Sequence, residues 1–107
     1  MMIARAKRAR KRLGSFYALK AMVELGKGWH TFKEVLEKMI EITGNTKLKY
    51  YPIQDTIKYG LAILEPQYDK PTGELKVKLR DELYDMIAEQ IDDYIRKMEQ
   101  EINISTV

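Results

Sequence analysis

Between Pro52 and Ile102 the hydrophobic period changes twice, from helical to alternating and back to helical, so this half of the chain must hold a tight hairpin between two helices. The first piece, Pro52 to Gly60, carries Ile53 and Ile57 four apart, with Pro52 suited to a first helical turn and Gly60 to a stop. Leu61 to Leu64 and Leu75 to Leu79 then flank Asp69-Lys70-Pro71-Thr72-Gly73-Glu74, where Pro71 presets φ and Gly73 can take the left-handed position of a hairpin turn. Leu75, Val77 and Leu79 alternate with Lys76 and Lys78, which predicts a strand with its apolar side chains on a core and its lysines outside. Asp81 and Glu82 suit a helix start. After them Leu83, Ile87, Ile91, Tyr94, Met98 and Ile102 recur every three or four residues, predicting a long helix with a frayed tail from Asn103.

Two helices are expected before this unit. Ser15 can cap a helix running to about Leu25, with Phe16, Leu19, Met22 and Val23 inward and Gly26 ending it. Trp29 and His30 suit a minimal strand. Thr31-Phe-Lys-Glu34 matches a capping box, so the second helix should start near Phe32 and bury Phe32, Val35, Leu36, Met39 and Ile40 until Thr43-Gly44-Asn45 breaks it. Thr46 to Tyr51 reads either as a helical turn or as an extended connection, because the residue before Pro52 disfavours helical geometry. Residues 1–14 form a basic arm in which Arg5, Lys7, Arg8, Arg10, Lys11 and Arg12 occur without an acid. In isolation such an arm is disordered or marginally helical, and against phosphates it can order.

The 107 residues fit one domain, and 45% apolar content is enough for a core. The absence of cysteine excludes disulfides and thiol catalysis, and a single histidine without cysteine partners argues against a zinc site. No cofactor is expected. No Gly-rich phosphate loop, nucleophile elbow or zincin motif occurs, and His30 has no catalytic partners, so an enzyme is not expected either. The longest apolar runs fall short of a membrane span, and Lys20 and Glu24 break what would be a signal-peptide core, so the expected compartment is the cytoplasm. The net charge of +3 hides a strong polarity. Residues 1–80 hold 17 Lys and Arg against 8 acids, whereas residues 81–107 hold 2 against 8. The basic portion suits a polyanion, and the acidic helix should point away from it.

With helix, short strand, helix, helix, hairpin and helix in order, the chain resembles the winged helix-turn-helix superfamily of DNA-binding regulators. The resemblance covers Ser15 to Ile102. It is carried by Lys58-Tyr59-Gly60-Leu61 at a helix exit, Asp69-Lys70-Pro71-Thr72-Gly73 at a hairpin tip, and Leu75-Lys76-Val77-Lys78-Leu79 returning into a helix. Small regulators of archaea and their viruses are similar in size and charge. The resemblance implies an α+β, mostly α fold with three parts: a basic arm (1–14), a winged-helix core with a two-stranded wing (15–80), and a long C-terminal helix (81–107). It implies that the helix before the hairpin enters the major groove, that the hairpin tip touches the backbone or minor groove, and that the terminal helix forms a dimer. The linker from Gly44 to Tyr51 is longer than the turn usual in that superfamily.

On the helix from Pro52, the outward positions are Gln54, Asp55, Lys58 and Tyr59. A Gln54 amide can pair with an adenine edge through donor and acceptor together, and Lys58 can reach guanine acceptors or a phosphate. Asp55 can accept from cytosine or serve as a helix-start charge. Lys47 and Lys49 suit phosphates just upstream, while Tyr50 and Tyr51 read equally as phosphate donors or core edges. Lys70, Thr72, Lys76 and Lys78 in the wing, with the arm cations, should position the duplex without discriminating sequence. The stripe Leu83, Ile87, Ile91, Tyr94, Met98 and Ile102, widened by Tyr84, Ala88 and Ile95, is longer than a small core needs, and predicts a homodimer interface; the alternative is that it folds back over the first helix. The expected function is sequence-specific binding of double-stranded DNA by a homodimeric transcriptional repressor. The alternatives are an architectural or RNA-binding protein and a protein-interaction module.

Overall fold

The computed structural model describes residues 2–60 and 63–106, with side chains over 10–60 and 63–103. Along the chain run α1 (Met2–Leu25), β1 (Trp29–Thr31), α2 (Phe32–Thr43), α3 (Tyr51–Tyr59), β2 (Leu64–Asp69), β3 (Glu74–Leu79) and α4 (Asp81–Thr106). The strands form one antiparallel sheet in the order β1-β3-β2. The result is a small α+β fold, mostly helical, with its elements in the order that the periodicity predicts.

The first departure from expectation is α1. It runs unbroken through Ser15, so the expected arm and the expected first core helix are one helix, and Ser15 is an interior residue rather than a cap. Alanine, leucine, lysine and arginine are strong helix formers, and no proline interrupts them. The side chains of Arg5, Lys7 and Arg8 lie outside the described residues. Further along α1, Ala18 and Ala21 are fully buried, and Leu19 and Met22 join them in the core. Alanines there let neighbouring elements approach the helix closely.

α4 lies antiparallel along α1. Tyr17 Oη donates to Glu99 at 2.7 Å, Lys20 pairs with Asp92 at 2.6 Å, and Tyr84 Oη donates to the Val23 carbonyl at 2.6 Å. Charge supports this pairing, because α1 carries seven Lys and Arg against one acid while α4 carries eight acids against two bases. Burial, reinforced by the Glu99 hydrogen bond and charge, pushes the Tyr17 phenol up to about 12. The packing corrects the expected dimer stripe. Ile87, Ile91 and Ile95 are buried in the chain's own core, Leu83 packs against it, and Tyr94 stacks on Phe16 with ring centroids 5.7 Å apart. Met98 and Ile102 are half-buried. The apolar residues of α1 wrap around too much of that helix for α2 and α3 to cover, and α4 closes the remainder. The tail expected to fray is also helical, to Thr106.

The start of α2 follows the capping box. Thr31 Oγ1 accepts from the Glu34 amide at 3.0 Å, and the Thr31 amide donates to Glu34 Oε1 at 3.2 Å. This bonding holds the Glu34 carboxyl below its ordinary value, with Thr31's amide as the largest cause. Gly44 ends the helix in the left-handed region at φ 71°. The segment after it is locally bonded: Asn45 Oδ1 accepts from the Lys47 amide at 3.0 Å. α3 then begins at Tyr51, one residue before the expected Pro52.

The hairpin is real, with its first strand later than expected. β2 is Leu64–Asp69 rather than 61–64; Leu61 and Ala62 lie outside the described residues. Pro66 lies within β2, an edge strand bonded only to β3, where a missing amide hydrogen is tolerated. Leu64 pairs with Leu79 and Asp69 with Glu74, so residues 70–73 form the turn, closed by the Gly73 amide on the Asp69 carbonyl at 2.7 Å, with Gly73 at φ 70°. Leu64, Val77 and Leu79 enter the core with Phe32, Val35, Met39 and Ile53. Leu75, expected inside, is 46% exposed, because the outer end of the hairpin extends past the core. No helix among the described residues is long and apolar enough to cross a membrane.

Candidate nucleic-acid interface

α3 seats itself through Ile53 and Thr56, both buried, and Thr56 Oγ1 satisfies itself by donating to the Pro52 carbonyl at 2.7 Å. At 100° per residue, that anchoring turns Tyr51, Gln54 and Lys58 outward. All three are exposed, Tyr51 by 70%. Among the described residues the Gln54 side chain has no hydrogen-bond partner and Lys58 no carboxylate; its ammonium lies 5.2 Å from the ring of neighbouring Tyr59, itself 69% exposed. Asp55 is turned further round. It lines a groove against α1 with Lys11 and Arg12, which takes it off the outer face where it was expected as a base reader.

The approach to α3 divides by residue. Lys47 and Lys49 are exposed and unpaired among the described residues. Tyr50 is half exposed and its ring centroid lies 6.2 Å from that of Phe32, so it joins the edge of the core and the surface at once. With Lys49, Tyr51 and Gln54 it lines a shallow recess of about 340 Å³. A second recess of about 300 Å³ lies between α3 and the hairpin, lined by Lys33, Tyr50, Gln54, Gly73 and Leu75 among others.

The hairpin brings the largest correction. Lys76 and Lys78 lie on the sheet face opposite Val77 and Leu79, whereas Leu75, on the same face as Val77, borders Gln54. Lys76 pairs with Asp69 at 3.7 Å, and Lys78 pairs with Asp81 at 3.0 Å while lying 5.8 Å from the Trp29 ring. The Asp81 hydrogen bond holds the Lys78 ammonium above its ordinary value. These two lysines therefore do not extend the α3 surface, and they are neutralised locally. Thr72 is exposed in the turn, its hydroxyl accepting from the Glu74 amide at 3.3 Å. Lys70 is exposed at the tip without an ion pair among the described residues.

The expected arm contributes through a rigid element. Arg10, Lys11 and Arg12 are exposed and unpaired among the described residues, and Lys11 and Arg12 stand across the groove from Asp55 and Tyr59. Lys33 went unnoticed in the sequence. It is the second residue of α2, exposed and unpaired among the described residues, beside Gln54. The signal was the capping box itself, which fixes Thr31 and Glu34 and so orients the two residues between them, Phe32 inward and Lys33 outward. Among the described residues no three His, Asp or Glu side chains gather as a metal site would require. Comparison with protein-family models, with curated proteins and with solved structures finds no match.

Proposed function

We propose that the chain is a winged-helix protein that binds duplex DNA, with α3 as its reader helix and the hairpin as its wing. One observation carries the reading: Tyr51, Gln54 and Lys58 form an exposed face whose amide and ammonium are unpaired among the described residues, as are cations from four other segments around it. Lys47 and Lys49 precede it, Lys33 comes from α2, Lys70 from the turn, and Lys11 and Arg12 from α1. In the major groove the Gln54 amide reads an adenine edge and Lys58 a guanine or a phosphate, while the surrounding cations fix register on the backbone. The acidic α4 packs on α1, where Lys20 pairs with Asp92 and Tyr17 with Glu99, which limits repulsion of a polyanion.

Transcriptional repression by promoter occlusion, with two copies placing reader helices in successive major grooves, is part of this proposal. A two-fold contact must use side chains other than Ile87, Ile91 and Ile95; Met86, half exposed on α4, is one that remains. No catalytic step and no cofactor is needed. A gel-shift series with genomic fragments tests the reading, and equal affinity for every fragment defeats sequence-specific regulation. A second reading has its own support. Tyr51, Tyr59 and Tyr68 are all more than half exposed and offer stacking faces for unpaired bases. Competition among duplex DNA, single strands and structured RNA decides between the two. Negligible binding of all three near physiological salt favours a protein-interaction module instead.

A further inference from the structure

The groove between α1 and α3 is a site in its own right. It encloses about 370 Å³, within the range of small-ligand pockets, and is open to solvent on one side. Phe16, Leu19 and Ile63 give it an apolar floor. Lys11 and Arg12 stand over that floor, faced by Asp55 and by Tyr59 of α3. Elsewhere on this chain lysines near carboxylates have closed into ion pairs, as at Lys20, Lys27, Lys38, Lys76 and Lys78. Here two cations and one carboxylate share a groove without such a pair among the described residues, which leaves an excess of one positive charge among them beside an aromatic and aliphatic surface.

We propose that this groove binds a small monoanion with an apolar body, such as an aromatic or branched-chain carboxylate. The apolar body covers Phe16, Leu19 and Ile63, and the anionic group lies between Lys11 and Arg12, whose planar guanidinium suits a carboxylate. Asp55 opposes the anion, so its charge weakens binding and its removal strengthens it. The site stands whether or not α3 meets DNA.

The test uses the full chain, labelled with ¹⁵N, and three probes: 2-naphthoate, neutral 2-naphthylmethanol and inorganic phosphate. Expected are saturable shifts at the Phe16, Leu19 and Ile63 amides with 2-naphthoate, and at least fivefold weaker binding of each other probe. K11Q combined with R12Q changes two exposed side chains and should weaken 2-naphthoate at least fivefold without altering the melting temperature. D55N should tighten it severalfold. Equal binding of naphthoate and naphthylmethanol overturns the proposal, because the cations then play no part. Phosphate binding as tightly as naphthoate overturns it too, since the apolar floor would be idle. So does an unchanged or weakened affinity in D55N, or shifts confined to residues outside the groove.

Discussion

Among the described residues the lysines divide into those held by carboxylates and those without one, and if the chain binds duplex DNA as proposed, the salt dependence of that binding reads the division directly. Lys11, Arg12, Lys33, Lys47, Lys49, Lys58 and Lys70 are exposed and unpaired among the described residues around α3. If all of them neutralise phosphates, log K against log salt should fall with a slope of about −6, at about 0.9 per contact. A fourfold rise in salt then weakens binding by about three to four orders of magnitude. Lys58→Gln should flatten the slope by about 0.9 and weaken all sequences. Lys76→Gln combined with Lys78→Gln should leave the slope unchanged, because both lie on the far sheet face and are committed to Asp69 and Asp81. Fluorescence anisotropy of a labelled duplex over a KCl series measures all three proteins. If the Lys76/Lys78 double variant flattened the slope by about two units and Lys58→Gln did nothing, the placement of the interface would be wrong.

Three further outcomes concern the scaffold. Ile91, 2% exposed against α1, should cost about 2–5 kcal/mol on substitution by alanine in chemical denaturation, with the oligomeric state by sedimentation unchanged. Loss of a dimer without loss of stability would return Ile91 to an interface between copies. Thr31→Ala should cost about 1 kcal/mol through its cap. Because Glu34 titrates lower when folded, its bonding stabilises the protein above the ordinary carboxylate range and that stabilisation fades as pH falls through the lowered value; a denaturation series against pH should show a flatter acid limb in Thr31→Ala. Gly60→Ala should destabilise by about 1–3 kcal/mol, since the added Cβ would sit 2.2 Å from the Thr56 carbonyl oxygen and the backbone must shift; an unchanged melting temperature would contradict that geometry.

The elements that were legible in the sequence are those whose signals are local. The capping box at Thr31 and Glu34, the break at Gly44 and the turn glycine at Gly73 each depend on a few adjacent residues, and each stands where it was read. The exposure of Gln54 and Lys58 was legible for the same reason, since the inward turn of Ile53 leaves both facing out. What needed the third dimension was misread. Ser15 has the chemistry of a cap, but the helix formers up to Leu13 and from Tyr17 on, with an acidic helix alongside, carry α1 through it and through Gly14. The Ile87, Ile91 and Ile95 stripe says only that something apolar covers it; whether a second copy or α1 does so depends on how far the apolar surface of α1 extends round its axis. Alternation placed Lys76 and Lys78 outside the core correctly. It could not say that outside, for that sheet, means the face away from α3.

That α1 is a single rod has a consequence for speed and reach. A loose basic tail would surrender about 1–2 kcal/mol of backbone freedom for every residue it fixed on a polyanion, but it could wander to find phosphates at many positions. A helix whose inner half is clamped by Met22 and Ile91 has given up that freedom before any encounter, so Arg10, Lys11 and Arg12 leave it at fixed directions, about 100° apart around its axis, and meet a target as a pre-set fan. Such a fan grips without delay a target whose curvature matches it, and holds poorly one that does not. Bending of the target, as much as its letters, would then decide how long a complex lasts.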